Sequence, residues 1–232
     1  MKRIIVIAAL LASALQGYAQ DLFHGYDTYT LNTKENHLAD ILNCESDMGL
    51  IIGYVNMQWV DPVGSPGGQP MFTLHGLKYE GNYVMPIWGP LGLDITYLGL
   101  NFAVGKMPTG ETPMHMSWNF ALMPMLTTQF GKFRLNAFAG VKPYISFLLD
   151  GTDSYPITTL SDNVDSWGRG LWLNSAIGVD LVHNNKTGLR ITYENGLSGR
   201  LKDKYYEDTG MSRSNYDPRY SMLSVCLVFW ML

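Results

Sequence analysis

"FRLNAFAGVKPYISFLLDG", residues 133–151, is apolar almost throughout, yet Arg134, Asn136 and Lys142 interrupt it at even spacings. Sorted by parity, the stretch separates into two sets. Phe133, Leu135, Ala137, Ala139, Val141, Pro143, Ile145, Phe147 and Leu149 form one; Arg134, Asn136, Phe138, Gly140, Lys142, Tyr144, Ser146 and Leu148 form the other. Successive side chains on a β-strand point to opposite faces, so this is a strand with one wholly apolar face and one that carries every charge. It is far longer than the five or six residues that are about usual in soluble sheets.

The pattern repeats on both sides. In WGRGLWLNSAIGVDLV (167–182), Leu171, Leu173, Ile177, Val179 and Leu181 oppose Gly170, Asn174, Ala176, Gly178 and Asp180. In TGLRITYENGLSG (187–199), Leu189, Ile191, Tyr193 and Leu197 oppose Arg190, Thr192 and Glu194. RYSMLSVCLVFWML (219–232) sets Leu223, Val225, Leu227 and Phe229 against Ser224 and Cys226. Towards the N-terminus, MFTLHGLKYEGNYV (71–84) opposes Leu77, Tyr79 and Tyr83 to Lys78, Glu80 and Asn82, and MHMSWNFALMPMLTT (114–128) opposes Met114, Met116, Trp118, Phe120 and Leu122 to His115, Ser117 and Asn119. LGLDITYLGLNFAVG (91–105) changes apolar parity after Tyr97, which predicts a bulge near Gly99. MGLIIGYVNMQWV (48–60) is assigned Ile51, Val55, Met57 and Trp59 on its apolar face, against Tyr54, Asn56 and Gln58. A period of two wins over a helical period throughout the segments from 133 onward, and the first half shows it less cleanly.

Eight strands therefore follow one another, and the links between them alternate. Residues 61–70, 106–112, 150–166 and 200–218 are long; 85–90, 131–132 and 183–186 are short. An up-and-down sheet with long loops at one end and tight turns at the other is the arrangement of outer-membrane barrels. The expected fold is all-β: an eight-stranded antiparallel up-and-down transmembrane β-barrel over residues 48–232.

Composition agrees. Charged residues are 16% and aromatic residues 12% of the 232, and the formal charge is −4, against about 25% charged residues in an ordinary soluble domain. The negative balance excludes the basic surface that nucleic-acid binding requires. MKRIIVIAALLASALQGYA (1–19) has two basic residues, a short apolar run and small residues at its end, the layout of a cleaved secretory signal. Its apolar run falls short of the roughly 20 residues that cross hydrocarbon as a helix. Residues 20–47 form a lead-in, where NTKENHLADIL suggests a short helix over about 33–42 from its Asn-x-x-Glu start. Cys44 falls in that lead-in and Cys226 inside the last strand, so no disulfide is expected between them.

A leader, eight strands, an aromatic-rich final strand and hairpins such as FGKFRLNAFAGVKPYISFLL (130–149) resemble the small Gram-negative outer-membrane β-barrel proteins, the PorT-like and OmpX- or OmpA-barrel group. The resemblance covers about residues 48–232 and rests on pattern. It implies residence in the cell outer membrane, contact with outer-membrane lipid, delivery by the barrel-insertion machinery, and a structural or surface-interaction role. The group ends on an aromatic residue, whereas here Phe229 and Trp230 are followed by Met231 and Leu232.

Parity alone does not separate a membrane barrel from a lipocalin-like one with its apolar face inside. The polar face does: its charges are Lys78, Glu80, Asp94, Arg134, Lys142, Asp180, Arg190 and Glu194, and many of its other members are Gly, Ala or Ser. A water-facing exterior carries more charge, and small residues suit a crowded interior. These four cations and four anions are expected to pair within a filled lumen, because unpaired burial is costly. Trp59, Tyr83, Trp88, Phe130, Phe133, Trp167, Tyr193 and Trp230 are expected to form interfacial girdles.

No metal-ligand spacing, nucleophile elbow or nucleotide loop is present in the sequence, and neither a metal nor a cofactor is expected. The nearest approach to catalytic chemistry is His115 with Ser117 on one face of one strand. They would serve an outer-membrane lipid A acyltransferase or deacylase, one alternative to the structural role; a narrow pore for small solutes is the other. The loop GRLKDKYYEDTGMSRSNYDPR (199–219) mixes both charge signs with tyrosines and is the expected contact site for an extracellular ligand.

Overall fold

The computed structural model describes residues 44–60, 72–107, 110–149, 166–198, 203–210 and 219–231. The leader at 1–19, the helix expected over 33–42 and most of the loop 199–219 lie outside them. Eight strands follow in order: β1 (Asp47–Val60), β2 (Phe72–Trp88), β3 (Leu91–Gly105), β4 (Met114–Phe130), β5 (Phe133–Leu149), β6 (Ser166–His183), β7 (Thr187–Ser198) and β8 (Arg219–Trp230). A short helix, α1 (Asp203–Thr209), lies between β7 and β8. Each strand pairs antiparallel with the next, and β8 pairs with β1, so the sheet closes into a barrel.

The register gives the barrel its shape. A walk along paired residues from Met48 passes through Tyr83, Ile95, Leu122, Val141, Ser175, Asn195 and Ser221, and returns to β1 at Gln58. That stagger of ten positions over eight strands corresponds to a strand tilt of about 40–45° and an interior that side chains fill. The tight turns need left-handed backbone, and Gly89 (φ 52°), Gly131 (φ 60°), Asn184 (φ 51°) and Asn185 (φ 56°) provide it. A register shift between Thr96 and Gly99 places Tyr97 and Leu98 both outward, the bulge that the change of parity anticipates.

The outer face is apolar around the circuit. Leu77, Leu122, Ile145, Leu171, Ile177, Ile191 and Leu227 are exposed, Leu171 by 73%. An exposed apolar surface of this extent is unstable in water and is the lipid-facing surface of a transmembrane barrel. Inside, Lys78, Glu80, Asp94, Lys142, Asp180, Arg190 and Glu194 are each 0–1% exposed.

Two expectations are corrected. On β1 the faces are exchanged: Ile51, Val55, Met57 and Trp59 are buried in the lumen, while Tyr54 and Gln58 are exposed. Both parities of this strand contain large apolar side chains, so alternation by itself assigns neither face. For the same reason Trp59 and Trp230 do not belong to a girdle; both are interior residues. Trp88, Phe130 and Phe133 are exposed near strand ends, as girdle residues are; Tyr193 is exposed but lies mid-strand on β7, paired with Ile177, and so does not belong to a girdle, and Tyr83 is half-buried with its hydroxyl 2.9 Å from Ser46 Oγ. The Trp167 side chain lies outside the described residues.

Candidate functional site: a lumen in three layers

The inward residues of the eight strands stack into a charged middle closed at each end by apolar side chains. In the middle, Lys142 Nζ lies 2.6 Å from Glu80 Oε1 and 3.3 Å from Glu194 Oε1. Lys78 Nζ lies 2.8 Å from Glu194 Oε1 and 3.2 Å from Glu80 Oε1. Two ammonium groups and two carboxylates thus share one enclosed square, drawn from β2, β5 and β7. Below it, Arg190 grips Asp180 with two parallel contacts, Nε to Oδ1 at 2.6 Å and Nη2 to Oδ2 at 2.7 Å, and reaches Asp94 Oδ2 at 2.9 Å. The planar fork of a guanidinium suits this bidentate grip.

Three cations here face four carboxylates, and neutral donors make up the balance. Tyr144 donates its hydroxyl hydrogen to Glu194 Oε2, Asn82 Nδ2 donates to Asp94 Oδ1 at 2.7 Å, and Asn119 Nδ2 donates to Glu80 Oε1 at 3.4 Å. Each bond offsets part of the desolvation of a carboxylate held away from water. Arg190 also lies over the Phe138 ring, 4.4 Å from its centroid. That ring occupies the space a side chain at Gly178 would take: a Cβ there would come within 2.4 Å of Phe138 Cζ.

Arg134 is apart from this cluster, towards the short-turn end. Its Nη2 is 2.7 Å from Asp47 Oδ2, and its guanidinium stands over Trp230 at 5.7 Å. Asp47 is absent from the expected set because it precedes the segment recognisable as a strand. Once β1 is known to turn its odd residues inward, Asp47 follows directly. Nearby, Thr127 is hydrogen bonded to Asn136, whose Nδ2 lies 3.5 Å from Asp180 Oδ2. Val84, Met125, Val182, Val228 and Trp230 close this end. The Trp230 ring packs where Gly49 leaves room, since a Cβ there would lie 2.4 Å from Trp230 Cε3.

The long-loop end is closed by aromatic rings. Trp59 stacks on Phe72 at 5.6 Å between centroids, meets Trp172 edge-on at 5.3 Å and lies 5.2 Å from Tyr220. Met57, Leu74, Leu148 and Met222 complete the layer. His115 is inside it, its ring 5.3 Å from that of Tyr220 and 6.2 Å from that of Trp59. Ser117 is also buried, and its Oγ accepts a hydrogen bond from Asn101 Nδ2 at 3.1 Å. Among the described residues neither nitrogen of His115 has a hydrogen-bond partner. The two candidate catalytic residues are thus neighbours on β4 with no hydrogen bond between them.

Among the described residues no group of three or more His, Cys, Asp or Glu side chains could hold a metal ion. Cys44 and Cys226 are both free thiols. Burial pushes the Cys44 thiol above its ordinary pKa, which favours the protonated form at neutral pH.

No protein-family model matches the sequence, and no curated protein is significantly similar to it. Among solved structures, Ail of Yersinia pestis in complex with the heparin analogue sucrose octasulfate is similar at 10% identity and a TM-score of 0.44, over 81% of this chain and 100% of that one. Neisserial surface protein A is similar at 8% identity and a TM-score of 0.46, over 80% and 99%. The outer membrane enzyme PagL is similar at 10% identity and a TM-score of 0.40, over 80% and 99%.

Proposed function

We propose that this chain is an outer-membrane barrel with a closed lumen, exported by the leader at 1–19, that serves a structural or surface-interaction role. The observation that carries the proposal is the three-layer lumen. A pore needs a continuous hydrated path, whereas here Lys78, Lys142 and Arg190 bind their carboxylates directly between two apolar closures. Insertion by the barrel-insertion machinery follows from the same reading, and the loop 199–219 is the surface it offers to an extracellular ligand. Lipid modification would need His115 and Ser117 to reach the bilayer, and both side chains are inside the barrel.

The test has two parts. The unboiled protein from outer-membrane fractions is expected to migrate differently from the boiled protein on an SDS gel. Reconstituted into liposomes, it is expected to pass no small-ion current above the lipid background. Recovery from the soluble periplasm without a gel shift overturns the membrane reading, and a steady unitary conductance overturns the closed lumen.

A further inference from the structure

The middle layer of the lumen holds one carboxyl more than its cations match. Lys78, Lys142, Glu80 and Glu194 form a neutral square in which each ammonium group touches both carboxylates. Below it Arg190 stands between Asp180 and Asp94, one cation for two carboxyls. If every carboxyl is ionised, the layer carries one negative charge in excess. Asn82, Asn119 and Tyr144 lend it hydrogen bonds but no charge. An uncompensated charge between two apolar closures is costly, and a carboxyl escapes that cost by keeping its proton.

The contacts single out which carboxyl this is. Asp180 is gripped by Arg190 through Nε at 2.6 Å and Nη2 at 2.7 Å, and Glu80 and Glu194 each touch two ammonium groups. Asp94 shares the one cation already committed to Asp180. Its Oδ2 lies 2.9 Å from Arg190 Nη2 yet accepts no hydrogen bond among the described residues, and its Oδ1 accepts from the neutral amide of Asn82 at 2.7 Å. Its partners on the flanking strands, Val84 on β2 and Met123 on β4, are buried and apolar, so neither supplies a cation. The charged groups gathered on that guanidinium are then Asp94 from β3, Asp180 from β6 and Glu80 from β2, whose Oε2 is 3.9 Å from Arg190 Nη1.

We infer that Asp94 is a proton-binding site of the closed lumen, held at neutral pH as the neutral carboxylic acid with its proton on Oδ2. The inference rests on the closed lumen proposed above. Oδ2 is the oxygen free to carry the proton, because Oδ1 receives the Asn82 N–H. Glu80 Oε2, on the same guanidinium and also without a donor among the described residues, is an acceptor on that side. With Asp94 neutral, three cations face three carboxylates and the layer is balanced.

The experiment is infrared spectroscopy of the full-length protein, folded in an ester-free detergent and first checked by the gel shift. The carbonyl stretch of a carboxylic acid stands apart from the bands of ionised carboxylates. At neutral pH the wild-type protein is expected to show an acid band that moves when aspartate is labelled with carbon-13 at its side-chain carboxyl, and that is absent from Asp94→Asn. This variant exchanges one neutral group for another of the same shape. It is expected to fold with the wild-type gel shift and to keep its equilibrium constant for unfolding in urea within about tenfold of the wild-type value. Absence of the acid band from the wild type overturns the bound proton. A band that ignores the aspartate label or persists in Asp94→Asn overturns its assignment to Asp94. Failure of Asp94→Asn to fold, or a larger loss of stability, also overturns the neutral acid, because that is the cost of breaking a buried ionised pair. Current through the wild-type barrel in liposomes instead overturns the closed lumen, so the two failures are distinguishable.

Discussion

The middle of the lumen and its long-loop end are equally buried and are held by opposite means. In the middle, Lys78, Lys142 and Arg190 are buried against Glu80, Glu194, Asp94 and Asp180. At the long-loop end Trp59, Phe72, Trp172 and Tyr220 are buried against each other. The difference teaches what each arrangement costs when it is broken. A buried charge that loses its partner cannot recover water, whereas an aromatic ring that is truncated leaves a void at a barrel mouth that neighbours and solvent partly fill.

This contrast can be broken experimentally. Glu80→Leu leaves Lys142 and Lys78 facing a single carboxylate and is expected to destabilise the barrel by about 3–5 kcal/mol, measured by urea unfolding in liposomes with Trp fluorescence. A loss no larger than that of an ordinary apolar truncation would show that water reaches the middle layer. Trp59→Ala in the aromatic closure is expected to cost about 3 kcal/mol, at the low end for a buried Trp, and to leave the membrane impermeable to small ions because the charged layer still stands behind it. Current through this variant would mean that the aromatic layer alone is the seal.

The outer surface offers a comparison at the same depth. Ile177→Arg, which faces lipid, is expected to cost about 2–4 kcal/mol if it lies near the bilayer midplane. Folding efficiency into preformed liposomes measures it, and a neutral outcome would place that part of β6 outside the hydrocarbon. Smallest of all, His115→Leu is expected to shift stability by less than about 1 kcal/mol in either direction, since its ring nitrogens have no partner to lose. A large loss would reveal a hydrogen-bonded role for His115 within the aromatic layer.

These layers were unequally visible beforehand. On β2 to β7 charged residues, or on β4 His115, Ser117 and Asn119, mark the inward parity, and on β8 Ser224 and Cys226 do, so those faces follow from the residues even though large side chains such as Phe138, Trp172 and Tyr220 share the inward parity. Lys78, Glu80, Asp94, Arg134, Lys142, Asp180, Arg190 and Glu194 are all inward residues in the structure. What escaped was β1, whose two parities are both rich in apolar side chains, and with it the closures at both ends. Trp59 and Trp230 look alike to a pattern based on polarity whether they face lipid or the lumen. Asp47 escaped with them, although it is the partner of Arg134. The partition of the charges was equally hidden: separations of 116 residues between Lys78 and Glu194 and 62 between Lys142 and Glu80 are joined only by barrel closure.

The amino-acid sequence by itself determined a succession of eight long amphipathic strands with tight turns at one end, because alternation with period two and the spacing of turn residues are local properties. Only the tertiary structure decided which cation holds which carboxylate, which face of β1 is enclosed, and where the lumen is sealed. Those depend on the stagger of ten residues around the circuit, a global quantity that brings distant side chains to one level and that no single segment encodes.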